Sequence, residues 1–339
     1  MKVVISNFGK PPINKTMDYK HYWANYQKPK SGKRLTLFEY KVDWGFHMFA
    51  LGVYLMDIGI ADEVEFWSYT EQRAMFYHSF GVLWVQFHNE DDIRAYIDRY
   101  GFPDLYINHG RDGMPIVQYM DGKCFRVHVA ALRSGLARQD NYGADCYLVD
   151  DEEFLDDRSM LYIPVVNIKK ISPSNCEKKR DFIYLAANYR GKRHDIILNA
   201  VRGTELTGHF HPVDATQLDL LNTYITTSNL NGSDVVDLLR TSRIAVYAGD
   251  NTSNPAAIWE CVAAGLPIVV NENIKGGKHL VVPGVTGEFA SENNFYDVMK
   301  YVLENRESYR PRAYFMDHWD TIQMLESYIF FFKKMGWGY

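Results

Sequence analysis

A chain of 339 residues, 47% hydrophobic and 23% charged, has the make-up of a globular protein of about two domains, which excludes disorder and collagen-like repeats. The 42 acidic against 37 basic residues leave a net charge of -5, which argues against a surface that grips nucleic acid throughout. The four cysteines, Cys124, Cys146, Cys176 and Cys261, are scattered without zinc-ligand or disulfide-framework spacing, so they read as reduced thiols and imply no metal.

No run approaches the roughly 18 apolar residues of a membrane span. Met1–Ser6 is too short an apolar run for a signal peptide. The expectation is a soluble, cytoplasmic chain whose many aromatic residues fill cores.

Lys2–Asn7 is a β-branched run closed by Phe8 and Gly9, which predicts a buried first strand and a turn. About thirty residues intervene before the next helix. Between Lys10 and Arg34 they carry seven basic residues and one acid, Asp18. That basic insertion is either a solvated loop or a lip for an anionic acceptor or membrane surface. Arg34–Tyr40 alternates weakly, as a strand within it would. Trp44-Gly45-Phe46-His47 then opens a helix over Met48–Asp57, closed by Gly59. Strands follow at Val64–Trp67 and Gly81–Val85, a helix at Asp91–Tyr100, and strands at Asp104–Asn108, Phe125–Val129 and Cys146–Val149. His109 and His128 stand at the ends of two of these strands.

Near Leu161–Pro164 the pattern pauses, and the polar stretch Lys169–Arg180 reads as a linker. A second cycle then begins: strand Phe182–Leu185, helix Asp195–Val201, a short strand near Glu205–Gly208 and helix Val235–Leu239. Strand Ile244–Tyr247, helix Ala256–Ala264 stopped by Gly265, strand Pro267–Val270 and helix Phe295–Glu304 continue it. A final helix spans roughly Trp319–Lys334, and its Phe330–Phe332 run reads as core packing, with an interfacial membrane contact as the other reading. Strands alternating with helices imply an α/β fold of two doubly wound, Rossmann-like domains, whose ligands bind at the carboxyl ends of the strands. The domains are read as 1–168, carrying the basic insertion 10–34, and 169–315. The last segment, 316–339, is read as returning to the first.

The richest segment is Ala248–Val270. A strand ends in a polar turn, Ser253 or Asn254 caps the next helix, and Pro255 takes its first position. Such a helix tip suits an anion such as a diphosphate. Glu260 lies a turn and a half further on among apolar residues, where a carboxylate needs a partner. It can accept two ribose hydroxyls, or it can be a surface acid.

From Pro255 through Glu260 to Gly265-Leu266-Pro267-Ile268-Val269-Val270, the sequence resembles the nucleotide-sugar motif of family 4 glycosyltransferases. Asn271–Gly277 and Pro283–Phe289 continue the match. The resemblance is concentrated in Phe182–Ala290 and implies a GT-B fold, two domains facing a cleft with the last helix crossing back. It also implies retaining, metal-independent transfer of a sugar from a nucleoside diphosphate to the hydroxyl of a glycan, lipid-linked or small-molecule acceptor. The donor is a substrate, and no cofactor is implied. A contact at the inner membrane face is left open.

Carried over by position, Glu260 holds the donor ribose. Arg190 and Lys192, in the turn after the second cycle's first strand, grip the diphosphate. Thr252, Ser253 and Asn254 line the helix tip, and Lys275, Gly276 and Gly277 lie near the donor sugar. His128, Gly45 and His109 belong to the transfer centre. Thr252 stands where the family's first motif acid falls, with Asp250 nearby but out of register. That departure motivates an alternative, a GT-B protein that binds nucleotide sugars without turnover. A dehydrogenase fits poorly, because the first strand lacks a G-x-G-x-x-G turn.

Overall fold

A computed structural model describes residues 1–7, 47–70, 75–79, 82–109, 114–130, 143–150, 152–173, 176–186, 190–211, 224–227, 232–250 and 255–338. The basic insertion 10–34, the strand expected at Arg34–Tyr40, Gly45, and Thr252, Ser253 and Asn254 lie outside them. The chain divides into two compact units. Described residues up to Val165 and from Leu325 onward form the first, and Val166–Met324 form the second.

The first unit begins with β1 (Lys2–Asn7), α1 (His47–Asp57), β2 (Glu63–Tyr69), β3 (Met75–Ser79), β4 (Val82–Phe87) and α2 (Glu90–Tyr100). It continues with β5 (Leu105–His109), α3 (Met114–Tyr119), β6 (Phe125–Ala130), β7 (Cys146–Val149) and β8 (Ser159–Leu161). The sheet order is β3-β4-β2-β1-β5-β6-β7-β8, parallel except for β3, which pairs antiparallel with β4 at the edge. The apolar strand runs predicted from sequence are buried on both faces, as parallel sheets require. Helix α2 shows how local sequence sets an element. Asn89 caps it by accepting from the Asp92 amide at 3.1 Å, three acids fill its first turn, and Gly101 ends it at φ 82°. One buried carboxylate, Glu65, is satisfied by Trp67 Nε1 at 2.7 Å, Tyr96 Oη at 2.8 Å and Lys2 Nζ at 3.2 Å.

The second unit runs β9 (Arg180–Leu185), α4 (His194–Val201), β10 (Gly208–His211), β11 (Ile225–Thr227), α5 (Gly232–Thr241), β12 (Ser242–Tyr247) and α6 (Ala256–Ala263). After these come β13 (Ile268–Asn271), β14 (Gly287–Ala290), α7 (Phe295–Glu304) and α8 (Pro311–His318). Its sheet order, β11-β10-β9-β12-β13-β14, is parallel throughout and reverses direction between β9 and β12. A doubly wound sheet places its ligand crevice at that reversal. Gly287 lets β14 close on β13, since a Cβ there would lie 1.9 Å from the Ile268 carbonyl oxygen.

Several expectations are corrected. The short strand expected near Glu205–Gly208 lies at Gly208–His211, because Asp181 holds Thr207 just before it through backbone and hydroxyl bonds of 2.9 Å. Pro255 is the residue before the first turn of α6, extended at φ -78° and ψ 118°, rather than its first helical position. The final helix expected over roughly Trp319–Lys334 is present as α9 (Thr321–Lys334), whereas α8, which ends at His318 just before it, was not read from the sequence. Thr321 Oγ1 there donates to the Val166 carbonyl, turning the chain.

Helix α9 supplies Leu325, Tyr328 and Phe332 to the first unit's core, where Phe332 packs on Phe125 with ring centroids 6.3 Å apart. Tyr328 is fully buried. Its hydroxyl accepts from the Ile163 amide at 2.6 Å and donates to the Ile163 carbonyl at 2.9 Å. Tyr328→Phe strands both backbone groups away from water and is expected to cost about 2 kcal/mol in chemical denaturation. A change below about 0.5 kcal/mol would show that water reaches Ile163.

Candidate functional site

The carboxyl end of the second sheet gathers three loops at its reversal point. After β9, residues Arg190–Lys192 form a short 3-10 turn leading into α4. Lys192 is held at both ends by tyrosines of adjacent strands: Tyr184 of β9 donates to its carbonyl, and Lys192 Nζ donates to Tyr247 Oη of β12 at 2.7 Å. Burial pulls the Lys192 ammonium down to about 8, still charged at neutral pH.

Arg193 is the one described non-glycine residue with positive φ, 51°. Such a backbone persists only where its surroundings enforce it. Here Arg193 pairs with Asp195 at 3.2 Å, Asp250 at 2.8 Å and Glu292 at 2.8 Å, drawing together the loops after β9, β12 and β14. Its hydrogen bonds to Asp195 and Glu292 raise its proton affinity further. An arginine so engaged is spent on structure. Arg190 sits in the same turn, its side chain outside the described set.

Helix α6 carries Glu260. Its neighbour Trp259 is fully buried against Trp319, Phe315 and His279, with ring centroids 5.5, 6.3 and 5.4 Å away. Arg312 fixes the helix end by donating to the Ala263 carbonyl, and it bonds the linker carbonyl of Ile171 at 2.9 Å. Glu260 itself is buried, and its Oε2 has no hydrogen-bond partner among the described residues. Desolvation raises its carboxyl to about 7, with Lys170 pulling the other way. A buried acid left in that condition is uncommon in a core, where polar groups are paired, and common where a ligand completes the set.

The loop after β13 is pinned. Asn271, fully buried, donates from Nδ2 to the Ala248 carbonyl at 2.9 Å and accepts from the Asn273 amide at 3.0 Å. Gly276 and Gly277 are buried, Gly277 turning the chain at φ 84° into the 3-10 turn Lys278–Leu280, while Lys275 is exposed. Thr286, in the stretch matched as Pro283–Phe289, bonds the Leu280 carbonyl at 2.6 Å and the Val282 amide at 2.7 Å.

In the first unit, His128 on β6 is 1% exposed. Asn108 Oδ1 lies 3.1 Å from Ser6 Oγ, and its amide donates to His128 Nδ1 at 3.0 Å, which puts the ring proton on Nε2. Burial, with help from His109, lowers His128 to about 4, so it is neutral at physiological pH. His109 is half-buried at the end of β5, with its ring 6.0 Å from Tyr162.

Of the residues singled out from sequence, Lys192 follows β9 and Lys275, Gly276 and Gly277 follow β13 at the carboxyl end of the second sheet, and Glu260 lies within helix α6, which follows β12. His128 and His109 stand at the corresponding end of the other sheet, across the β5–β6 pairing. Sequence reading missed Tyr247, Asn271 and the Arg193 network. Asn271 ends a strand and was readable as a loop-former, whereas Tyr247 carries no local signal.

No protein-family model and no curated protein matches the chain. Solved structures do. Sucrose-phosphate synthase from Thermosynechococcus elongatus superposes at TM-score 0.72 with 12% identity, over 98% of this chain and 99% of that one. Anabaena HepE, in complex with UDP and glucose, gives 0.67 with 9% identity over 98% and 100%. The lipopolysaccharide outer core galactosyltransferase WaaB gives 0.66 with 10% identity over 98% and 99%. The fold is thus the two-domain, Rossmann-like GT-B fold of glycosyltransferases.

Proposed function

We propose that this chain is a glycosyltransferase that binds a nucleoside-diphosphate sugar on its second unit and passes the sugar to an acceptor hydroxyl. Glu260 carries the reading: a desolvated carboxylate with an oxygen that has no partner among the described residues, on the helix that follows the sheet's reversal point. Two ribose hydroxyls would complete its hydrogen bonds. Lys192 would take the diphosphate, with Arg190 beside it. Negative charge grows on the leaving diphosphate, and a fixed ammonium stabilises it without a metal. Lys275, Gly276 and Gly277 would approach the donor sugar, and Thr252, Ser253 and Asn254 the phosphates at the tip of α6. In the first unit, His128 is assigned to the transferring sugar, with His109 and Gly45 also serving transfer. Retention of anomeric configuration, assignment to family 4, a glycan or lipid-linked acceptor and action at a membrane face extend the proposal by resemblance. Among the described residues no helix is long and apolar enough to cross a membrane.

The direct test is thermal stability against UDP, GDP, ADP and their sugars, UDP first because HepE is seen with it. A ligand at a hundredfold excess over its dissociation constant should add about 2.7 kcal/mol of stability. No stabilisation by any donor would remove the nucleotide site. A second reading, a nucleotide-sugar-binding protein without turnover, is favoured by Thr252 at the position of the first motif acid. Release of nucleoside diphosphate in the presence of acceptors decides between them, and NMR of the product anomer reads the stereochemistry.

A further inference from the structure

We propose that Tyr247 is a positioning residue for Lys192, its phenol oxygen fixing the ammonium at the reversal point of the second sheet and so setting the contact Lys192 makes with a ligand. The pairing stands on its own geometry, and only its consequence rests on the diphosphate role proposed for Lys192.

Nζ lies 2.7 Å from Tyr247 Oη and 5.3 Å from the ring centroid. The second distance is nearly the hydrogen bond plus the hydroxyl-to-centre length of a phenol. The ammonium therefore sits end-on, beyond the hydroxyl, and the contact is a hydrogen bond to oxygen rather than a cation over a ring face. An ammonium has three donors in flexible geometry, and a bond to a buried phenol fixes the direction of one of them, removing much of the lysine's rotational freedom.

The ring itself cannot wander. Tyr247 is 1% exposed and meets Tyr184 edge-on, centroids 5.9 Å apart. Gly249 makes room for it: a Cβ there would lie 3.0 Å from Tyr247 Cε1, 3.1 Å from its Oη and 3.2 Å from the Gly191 carbonyl. The same tyrosine pair thus grips the backbone and the side-chain tip of Lys192 from neighbouring strands.

Among the described residues, other ionisable groups near this point are Tyr184 on β9, Arg193, His194 and Asp195 at the start of α4, Asp250 after β12 and Glu292 after β14. The acids among them are engaged with Arg193. The depression of Lys192 to about 8 comes from burial. A neutral acceptor at 2.7 Å works against that depression, because it favours the charged form.

Tyr247→Phe keeps the ring and removes the oxygen. In the ligand-free protein, pH-dependent acetylation of Lys192 by acetic anhydride, read by peptide mass spectrometry, should show its midpoint fall by about one pH unit in the variant, a tenfold change. An unchanged midpoint overturns the proposal, whatever nucleotides do. UDP, GDP and ADP calorimetry gives the second arm. Tyr247→Phe should weaken binding about threefold in the wild-type background, less than Lys192→Ala does, and have no further effect when Lys192 is already alanine, since both act through one contact. Equal losses in both backgrounds would mean that Tyr247 acts independently of Lys192. If none of the three nucleotides binds the wild type while the labelling midpoint still falls, the diphosphate role fails and the positioning stands.

Discussion

Glu260→Gln is expected to stabilise the ligand-free protein at alkaline pH and, in the same molecule, to weaken nucleotide binding. The folded carboxyl titrates near 7 against an ordinary value of 4.5. Between those values the native state holds a proton that the unfolded chain has lost, so stability falls as pH rises through this window. About 2.5 pH units correspond to about 3 kcal/mol, present below pH 4.5 and gone above pH 7. Glutamine mimics the protonated form. The variant should match wild type at pH 4.5 and exceed it by about 3 kcal/mol at pH 8 in chemical denaturation. The ribose hydroxyls lose a charged acceptor, and two charge-assisted bonds correspond to a loss of affinity on the order of 100-fold. A variant equally stable at both pH values, with unaltered affinity for every nucleotide, would show that Glu260 is neither desolvated nor at the ligand. Gain and loss together are the signature of a residue kept for binding at the expense of stability.

Lys192→Ala should lower nucleotide affinity by about tenfold and turnover by about 100-fold, because charge on the diphosphate is greater in the transition state than in the bound donor. Ionisation gives a sharper version. A ligand that requires the ammonium binds evenly below pH 8 and loses about tenfold per unit above it, until the bound lysine titrates in turn. A ligand that requires the Glu260 carboxylate loses about tenfold per unit below pH 7. Affinity should therefore peak between pH 7 and 8. Lys192→Arg should abolish the alkaline limb and Glu260→Gln the acid limb, each compared with wild type so that titration of the nucleotide's own phosphate cancels. Two limbs that persist in both variants would assign the window to other groups.

How much of this was legible in the sequence follows the strength of local signals. Val3–Ile5, Ile183–Leu185 and Val269–Val270 are apolar runs bounded by turns, and helix α7 places Phe295, Met299, Val302 and Leu303 on one buried face, so these elements could be read directly. Strand β3 (Met75–Ser79) went unread because an antiparallel edge strand appended to a parallel sheet needs no apolar alternation. Strands β8 and β11, three residues each, and α3, a six-residue helix containing Pro115, are too short to show a period. Helix α8 (Pro311–His318) went unread, and the turn that separates it from α9 depends on a bond from Thr321 to a carbonyl 155 residues away. In the site, Glu260 was legible by type and spacing. Its unpartnered oxygen was not, since that is a property of everything packed around it. Among the basic residues of Arg190-Gly191-Lys192-Arg193, the sequence could not say which is consumed. Asp250 and Glu292, remote in the chain, decide it.

The Tyr328 bond to Ile163 carries a consequence for biosynthesis. The first unit's hydrophobic interior is finished by Leu325, Tyr328, Phe332 and Trp337, which leave the ribosome only after the whole second unit has been made. During translation the earlier portion must wait with Phe125 and the Ile163 backbone uncovered, exposed to chaperones and to self-association, while the second unit is free to reach its native state first. The later-made half of the protein is the one equipped to fold without waiting.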